Sequence, residues 1–354
     1  MQMQFDMDYL KNVLMEIMAI DSPSGYTNNV VKKLRTYADE LGYATEKTGK
    51  GNLIISVDGK SDKTVGVCAH VDTLGLMVRG IKEDGTLTFT TIGGPILPTL
   101  DGEYCKIYTR GKNPKVYTGT ILSNSPAQHV FSDAGTLPRT ADNMHIRVDA
   151  VVKNGEDIKA LEMDSGDYIC YVPKLEFTDT GFIKSRFLDD KLSAAIILTV
   201  LKYIRENNIE ILNNLKAIFS TNEEVGHGMS HLPDGMSELV AVDMGCIGKD
   251  LNCTEYDVSI CAKDSGGPYN FDLTEHLINL AADAGLKYAR DIYPFYGSDI
   301  GAAWRGGHDV RGALIGPGVA ASHGMERTHM DAAENTMKLL YLYLTREEKE
   351  KKEN

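Results

Sequence analysis

Histidines and acidic residues stand at five places along the sequence, each at the end of an apolar run or beside a turn. Imidazole nitrogens and carboxylate oxygens together form the ligand sets of zinc, cobalt or manganese, whereas calcium and magnesium prefer oxygen atoms alone. Two such ions about 3.5–4 Å apart can activate a water molecule and polarise a carbonyl group. The pattern therefore indicates a metal-dependent hydrolase. The five segments contain His70 with Asp72, Asp189 with Asp190, Glu223 with Glu224, Asp243, and His323 with Glu326.

The most informative pair is Glu223 and Glu224, which follow the apolar run 215–219 and precede Gly226. This order predicts a buried strand that delivers two carboxylates to its carboxyl end, the edge where open α/β sheets bind ligands. Because successive side chains of an extended segment point in opposite directions, one glutamate can bind a metal while the other transfers a proton. Taken alone, the pair is also typical of an ordinary exposed loop. The other four segments favour the catalytic interpretation.

His70 and Asp72 close a second predicted strand, over residues 64–69. At strand spacing the two side chains lie on the same side. A metal-bound imidazole usually donates its second N–H to a carboxylate, and Asp72 is placed to accept it. The same residues would also suit a simple strand end, so this alternative stays open.

Asp189 and Asp190 open a long apolar helix. Acidic residues are favoured at helix N-termini by the free N–H groups and the macrodipole, which would explain one of them as a cap. Two adjacent acids exceed what a cap requires. A carboxylate can bridge two metal ions through its two oxygens, and the neighbouring acid would support it.

Apolar periodicity around these segments predicts an α/β layered domain. The charged stretch 346–354 is expected to be solvated. Helices are expected over residues 7–20, 27–41 (capped by Thr27), 188–204, 274–284 and 334–344, and strands over 53–57, 64–69, 215–220, 239–242 and 313–315.

Between residues 77 and 170 the sequence changes to short apolar runs separated by Gly, Pro, Asp and Asn. Only residues 141–148 fit a short helix. The pattern predicts a small β-barrel or sandwich inserted into the α/β domain, which is tolerated where the ends of the insertion meet. We therefore predict a discontinuous catalytic domain, 1–76 and 171–354, and an inserted domain, 77–170.

Composition and charge narrow the class of protein. The chain has 354 residues and a formal net charge of -13, which argues against nucleic acid or an anionic membrane as the main partner. Its six cysteines are scattered without a Cys-x-x-Cys pair, so neither a zinc ribbon nor a redox motif is indicated, and such a chain fits a reducing compartment. No signal-peptide pattern and no apolar run of about 20 residues is visible. These features predict a cytoplasmic protein.

The order and spacing of these motifs resemble the M42 metallo-aminopeptidases. His-x-Asp, Leu-Asp-Asp, Glu-Glu-Val-Gly, Val-Asp and a late histidine occur in the family's order, with a β insertion after the first. Gly166-Asp167 and Gly297-Ser298-Asp299 also match. The resemblance implies an α/β/α sandwich with an inserted β-barrel domain used in oligomerisation. It further implies two divalent metal ions per subunit, peptide substrates with a free N-terminus, and homo-oligomers from dimers to twelve-subunit shells.

Carried over to this chain, the resemblance assigns the site residues. His70 and Asp243 would be ligands of one metal, and Glu224 and His323 would bind the second. Asp189 would bridge the two ions. Glu223 would be the general base, and Asp72 and Asp190 would support the ligands without binding a metal themselves.

The sequence departs from the family pattern at three places. Thr73 stands where the family commonly has a glutamate, and Asn222 replaces a glutamine. Glu326 follows His323 by three residues instead of four, which leaves His329 as a rival ligand. We favour His323, and we expect the departures to bear most on substrate specificity.

Two other functions fit part of the pattern. A metal-dependent amidohydrolase acting on an acylated small molecule would keep the same ligands but would not need a free α-amine. A non-catalytic assembly protein could keep the fold, although it would have no need for Glu223 as a base beside the ligands. A dinuclear aminopeptidase accounts for all five segments.

Overall fold

The computed structural model describes residues 3–347 and consists of a large α/β domain with a β-barrel inserted into it. Within these residues no helix is both long enough and apolar enough to cross a membrane. The helices are α1 (Met7–Met18), α2 (Asn28–Glu40), α3 (Gly155–Ala160), α4 (Leu188–Glu206), α5 (Phe271–Asp283), α6 (Asp299–Arg305) and α7 (Met330–Thr345). The strands are β1 (Ala44–Lys47), β2 (Leu53–Val57), β3 (Gly59–His70), β4 (Gly75–Ile81), β5 (Leu87–Ile92), β6 (Tyr104–Tyr108), β7 (Val116–Ser123), β8 (Met144–Val148), β9 (Tyr168–Tyr171), β10 (Glu176–Phe177), β11 (Phe182–Ser185), β12 (Ile211–Ser220), β13 (Met236–Val242), β14 (Gly245–Cys246), β15 (Val258–Asp264), β16 (Gly267–Pro268), β17 (Tyr288–Ile292), β18 (Arg311–Val319) and β19 (Glu326–His329).

The central sheet has the strand order β1-β2-β12-β3-β13-β18-β15-β16, with β14 paired to β18 and β17 paired to β15. Strands β12, β3, β13 and β18 run parallel to their neighbours in this series. Their carboxyl ends therefore meet at one edge of the sheet. The strand β3 lies in the middle of that series, as expected from its apolar second half.

Alternating side chains of the central strands pack on opposite faces of the sheet. In β3, Val67 and Ala69 join one apolar cluster and Cys68 joins the other. The first cluster contains buried residues of α1, α2, α4, α5 and α7, and the second contains Ile300 and Ala303 of α6. Helices thus cover both faces, and the predicted α/β/α sandwich is confirmed.

The inserted segment forms a closed barrel in the order β4-β5-β8-β7-β6-β9. Its strands span residues Gly75 to Tyr171, against the predicted limits of 77 and 170. The helix predicted over 141–148 is wrong. Residues Ala141–Asn143 form a short 3₁₀ turn and the rest is β8, in which Met144, Ile146 and Val148 are buried at the period of two that defines a strand.

Helix ends differ from the sequence predictions where local capping decides them. Thr27 occupies the N-cap position of α2, yet its side chain makes no capping hydrogen bond. Helix α7 begins at Met330 instead of 334, because the His329 imidazole accepts a hydrogen bond from the Asp331 N–H. Most of the charged stretch predicted to be solvated, residues 348–354, lies outside the described residues.

Candidate metal centre

The predicted site residues converge at the carboxyl edge of the central sheet. His70 is the last residue of β3, Asp243 follows β13 directly, and Glu223 comes three residues after β12. These three strands are adjacent and parallel, so their ends bring the side chains together. The remaining residues arrive from the start of α4 and from the turn between β18 and β19.

His70 is almost fully buried and uses both ring nitrogens. Its Nδ1 lies 2.9 Å from the carbonyl oxygen of Asp72, and its Nε2 lies 3.0 Å from Oδ1 of Asp189. Because a carbonyl oxygen only accepts hydrogen bonds, Nδ1 carries the proton and Nε2 is directed towards the acids. The Asp72 carboxylate, expected to take the Nδ1 proton, is 3.7 Å away, and the backbone carbonyl of the same residue replaces it.

The Asp72 carboxylate instead organises the backbone of the glutamate pair. It accepts hydrogen bonds from the Ser24 hydroxyl at 2.5 Å, from the Glu223 N–H at 3.1 Å and from the Glu224 N–H at 3.3 Å. With three donors on one fully buried carboxylate, the position of the loop after β12 is fixed relative to β3.

Asp189 and Asp190 lie before the regular part of α4. Their φ/ψ values are non-helical, the peptide bond between them is cis, and Phe187 adopts a left-handed conformation with φ of 66°. Both carboxylates belong to the candidate ligand groups, and the start of α4 has no side-chain cap. Asp190 accepts a hydrogen bond from the His70 N–H at 3.1 Å, which connects α4 to the end of β3.

Asp189 faces two imidazoles with its two carboxylate oxygens. Oδ1 lies 3.0 Å from Nε2 of His70, and Oδ2 lies 3.7 Å from Nε2 of His323. The Ser322 hydroxyl donates to Oδ2 at 3.0 Å. This carboxylate occupies the centre of the cluster.

His323 lies on the more exposed side of the cluster, with 37% of its side chain accessible. Its Nδ1 lies 2.9 Å from the carbonyl oxygen of Gly94, in the segment that follows β5 of the barrel. Its Nε2 is therefore directed towards Glu224, whose Oε2 is 3.7 Å away. The inserted barrel thus contributes the backbone group that orients this histidine.

His329 is held elsewhere. Its Nδ1 accepts the Asp331 N–H at the start of α7, and its Nε2 lies 3.0 Å from the carbonyl oxygen of Thr180. The structure brings His323, and not His329, to the acidic cluster. Glu326, which the family spacing would place one residue later, accepts the backbone N–H of Asp189 and of His323 through its two oxygens, each at 3.1 Å.

Two groups of side chains have the spacing needed to hold a metal ion. His70, Asp189 and Glu224 form one, and His70, Asp190 and Asp243 form the other, with ligand atoms within 4.8 Å of one another. Asp190 thus lies in a candidate ligand group, whereas the resemblance gives it only a supporting position. Among residues 3–347, Oδ1 of Asp190 and Oε1 of Glu224 are buried without a hydrogen-bond partner. Buried carboxylate oxygens without donors fit a cation.

Crowding of acids in this cluster shifts their pKa values. Burial, with the charge of Asp189 added, raises the pKa of Asp243 to about 7 and that of Glu224 well above its usual range. Burial also raises the pKa of Glu223, further helped by Asp243 and Asp299. Positive charge in the centre would reverse these shifts, since an adjacent cation favours the ionised carboxylate.

A cavity of about 230 Å³ opens onto the cluster. Sequence reasoning missed three of its lining residues, Phe295, Tyr296 and Arg305, since a single aromatic residue in a loop or a single arginine at a helix end has no diagnostic spacing. Asp299, matched to a family turn, accepts the Met229 N–H at 2.9 Å and also the Ser220 hydroxyl, so it supports the loop beyond the glutamates. The lining residues are Asp189, Glu223, Glu224, Gly226, Asp243, Phe295, Tyr296, Gly297, Ser298, Arg305 and His323.

Comparisons with known proteins identify the family of this chain. The family model for M42 glutamyl aminopeptidase matches residues 51–339. The chain is 43% identical over 334 residues to the Bacillus subtilis protein named Putative aminopeptidase YhfE, covering 94% of this chain and 96% of that protein.

Solved structures share the fold over nearly the whole chain. A TET aminopeptidase from a marine sediment archaeon, Thaumarchaeota archaeon SCGC AB-539-E09, superposes with a TM-score of 0.87 at 19% identity, covering 96% of this chain and 97% of that chain. The TET1 peptidase of Pyrococcus horikoshii, which can assemble into a tetrahedron or a large octahedral shell, gives 0.81 at 20% identity, with coverages of 95% and 99%. With these matches and the family model, the chain belongs to the M42 glutamyl aminopeptidase family and is an aminopeptidase.

Proposed function

We propose that this protein is a dinuclear metal-dependent aminopeptidase in which Glu223 is the general base. The observation that carries the proposal is the position of Asp189, whose two oxygens face Nε2 of His70 and Nε2 of His323. A carboxylate whose two oxygens each face the Nε2 of a different imidazole has the arrangement expected of a bridging ligand.

Membership of the M42 family implies the use of divalent metal ions. In our assignment His70 and Asp243 would hold one ion, Glu224 and His323 would hold the other, and Asp189 would serve both. Zinc, cobalt and manganese all suit imidazole and carboxylate ligands. Such ions supply Lewis acidity, which lowers the pKa of water from about 15.7 to about 7 and polarises the scissile carbonyl.

In our proposal Glu223 transfers the proton of the attacking water. One of its carboxylate oxygens lies 3.8 Å from Nε2 of His70, so the base stands beside the proposed ligands. Its backbone N–H is fixed by Asp72, which limits the positions that the side chain can take. In this role Glu223 removes the water proton as the carbonyl carbon is attacked and returns it to the leaving amine.

The cavity suits the N-terminus of a peptide. Four acids, Asp189, Glu223, Glu224 and Asp243, line a space of about 230 Å³. The limited volume favours a chain end over the middle of an extended peptide. We therefore propose peptides with a free N-terminus as the substrates.

We propose in addition that the chain forms homo-oligomers, from a dimer up to a dodecamer, through its inserted barrel. Support comes from the fold shared with the shell-forming TET1 peptidase. Size-exclusion chromatography coupled to light scattering tests the assembly by measuring its mass, for the wild type and for a variant that lacks residues of the barrel surface.

The cytoplasm is the proposed location, because all six cysteines are free thiols, as is usual where disulfides are kept reduced.

Hydrolysis of aminoacyl-anilides and short peptides tests the proposed activity. Each substrate is measured after chelation and again after addition of zinc, cobalt or manganese, with N-acetylated versions as matched controls. We expect metal-restored cleavage of the free amines alone. Cleavage of the acetylated compounds would identify a metal-dependent amidohydrolase instead, and turnover that persists after complete chelation would exclude the metal mechanism.

A further inference from the structure

We propose that Tyr296 is a further catalytic residue of this site, whose hydroxyl donates a hydrogen bond to the substrate carbonyl oxygen as that oxygen acquires negative charge. The proposal rests on the proposed metal-dependent peptidase function. It adds a donor to a site whose other side chains are mainly acceptors, as the following observations show.

The Tyr296 hydroxyl is a buried donor that makes no hydrogen bond of normal geometry, and its nearest acceptor is the Asp243 carboxylate. Among the described residues, seven buried side-chain polar atoms have no hydrogen bond, and three of them belong to this site: Oδ1 of Asp190, Oε1 of Glu224 and the Tyr296 hydroxyl. A cation can satisfy the two carboxylate oxygens. It cannot satisfy an O–H group, which needs an acceptor.

Carboxylates surround the hydroxyl. Tyr296 lines the same cavity as Asp189, Glu223 and Asp243, and its hydroxyl interacts electrostatically with all three. In the proposed assignment the oxygens of Asp189 and Asp243 face metal ions, and Oδ1 of Asp243 already accepts the Met244 N–H at 2.5 Å. Asp243 is the one protein acceptor within reach of the hydroxyl among the described residues. When Asp243 binds a metal ion in the proposed assignment, the hydroxyl can donate to an oxygen of the bound substrate instead.

The loop around Tyr296 fixes the ring in place. Its backbone carbonyl accepts two hydrogen bonds from Ser265, from the N–H at 2.9 Å and from the hydroxyl at 2.6 Å. Its ring packs against Tyr293 with a centroid distance of 5.5 Å, and the Tyr293 hydroxyl is itself bonded to Ser259 at 2.5 Å. The preceding residue, Phe295, is fully exposed, so the fixed position is particular to Tyr296. A donor held before the substrate arrives is the requirement for stabilising developing charge.

In the proposed reaction each bond that forms is matched by one that breaks. The water oxygen forms a bond to the carbonyl carbon while Glu223 accepts the water proton, and the electron pair of the C=O π bond moves onto the carbonyl oxygen. Tyr296 donates its hydrogen bond to this oxygen and keeps its proton. When the C=O bond re-forms, the C–N bond breaks, and Glu223 returns the proton to the amine nitrogen.

The variant Tyr296→Phe tests the proposal because it removes only the hydroxyl. We expect kcat to fall by about 10²–10³-fold, the usual effect of losing one donor to a developing oxyanion, with KM and bound metal unchanged. Binding of a phosphinic peptide, a tetrahedral mimic, should weaken by a similar factor, whereas binding of the product amino acid should not change. Tyr293→Phe is the matched control, since it removes a neighbouring hydroxyl that bonds within the protein.

Two results would overturn the proposal. A kcat for Tyr296→Phe within about 3-fold of the wild type, with equal phosphinic peptide binding, would show that the hydroxyl does not contact the reacting oxygen; one missing donor costs far more. Weaker metal binding in this variant would make Tyr296 a positioning residue for Asp243. Failure of the proposed function itself would appear in the wild type, as the absence of metal-restored turnover. The ratio of the phosphinic peptide affinities of the wild type and Tyr296→Phe would still decide the role of Tyr296.

Discussion

The two sides of the proposed metal centre are built differently. We call His70, Asp190 and Asp243 the strand side, because they stand at the ends of β3 and β13 and at the start of α4. We call Glu224 and His323 the loop side, because both lie in turns. The His70 side chain is 2% accessible and the His323 side chain 37%. His323 also has a positive φ of 63°, which is uncommon for a residue other than glycine.

The supports of the two histidines explain the difference. His70 is oriented by the carbonyl of Asp72, two residues further along the chain, so its orientation depends on the local structure at the end of β3. His323 is oriented by Gly94, which lies 229 residues earlier in the barrel insertion. Ligands fixed by the sheet are preorganised, whereas the loop side also depends on the docking of the insertion. We therefore expect the strand side to bind metal more tightly than the loop side.

The largest expected effect concerns Glu223, which belongs to neither side. The variant Glu223→Gln keeps the shape of the side chain but removes its ability to accept a proton. Turnover of aminoacyl-anilides should fall by about 10²–10⁴-fold. Elemental analysis should find the metal content of the wild type. Turnover that survives the change would show that Glu223 is not the base.

The next effect separates the two sides. In His323→Ala the loop side loses a ligand, so the metal content should fall from about two ions to about one per chain. The strand side should still bind its ion. His329→Ala is the matched control, because His329 caps α7 away from the cluster. Equal metal loss in both variants, measured by elemental analysis after dialysis, would contradict the distinction between the sides.

A smaller effect is expected from Glu326, which joins the two sides through the backbone N–H groups of Asp189 and His323. Glu326→Gln keeps one acceptor and replaces the other with a donor group. Loss of such a supporting contact typically weakens metal affinity by about 10–100-fold. Calorimetric titration should show the loss mainly on the weaker of two binding phases. A loss confined to the tighter phase would assign Glu326 to the strand side instead.

The smallest effect is the pH dependence of metal binding. In the absence of metal, burial and Asp189 raise the pKa of Asp243 to about 7, so protons occupy the cluster below that pH. A metal ion favours the ionised carboxylate and lowers this pKa. Since Asp243 must lose its proton to bind the ion, affinity should decrease as the pH falls through 7, with proton release on binding. Calorimetry in buffers of different ionisation enthalpy measures the protons, and no release at pH 6 would contradict the raised pKa.

The sequence predicted the strand side more fully than the loop side, for a physical reason. Apolar runs such as 64–69 and 239–242 locate buried parallel strands, and their carboxyl ends locate His70 and Asp243. The position of His323 depends on a turn with a left-handed residue and on a distant carbonyl, neither of which leaves a periodic pattern. Spacing alone therefore left His329 as a rival.

The sequence also did not predict the local contacts in which a backbone group takes the place of a side chain. The Asp72 carbonyl, and not its carboxylate, orients His70, since strand spacing gives the direction of a side chain but not its competing partners. The helix predicted over 141–148 was wrong, because a short apolar run fits helix and strand equally well until its partners are known. Tyr296 carried no signal, as its role depends on what surrounds it in space.

The most direct test of the proposed dinuclear centre is anomalous diffraction from crystals grown with zinc, recorded above and below the zinc absorption edge. The account predicts two peaks per chain, about 3.5–4 Å apart, with one oxygen of Asp189 towards each. A single fully occupied peak within His70, Asp190 and Asp243, in a protein with full aminopeptidase activity, would contradict it.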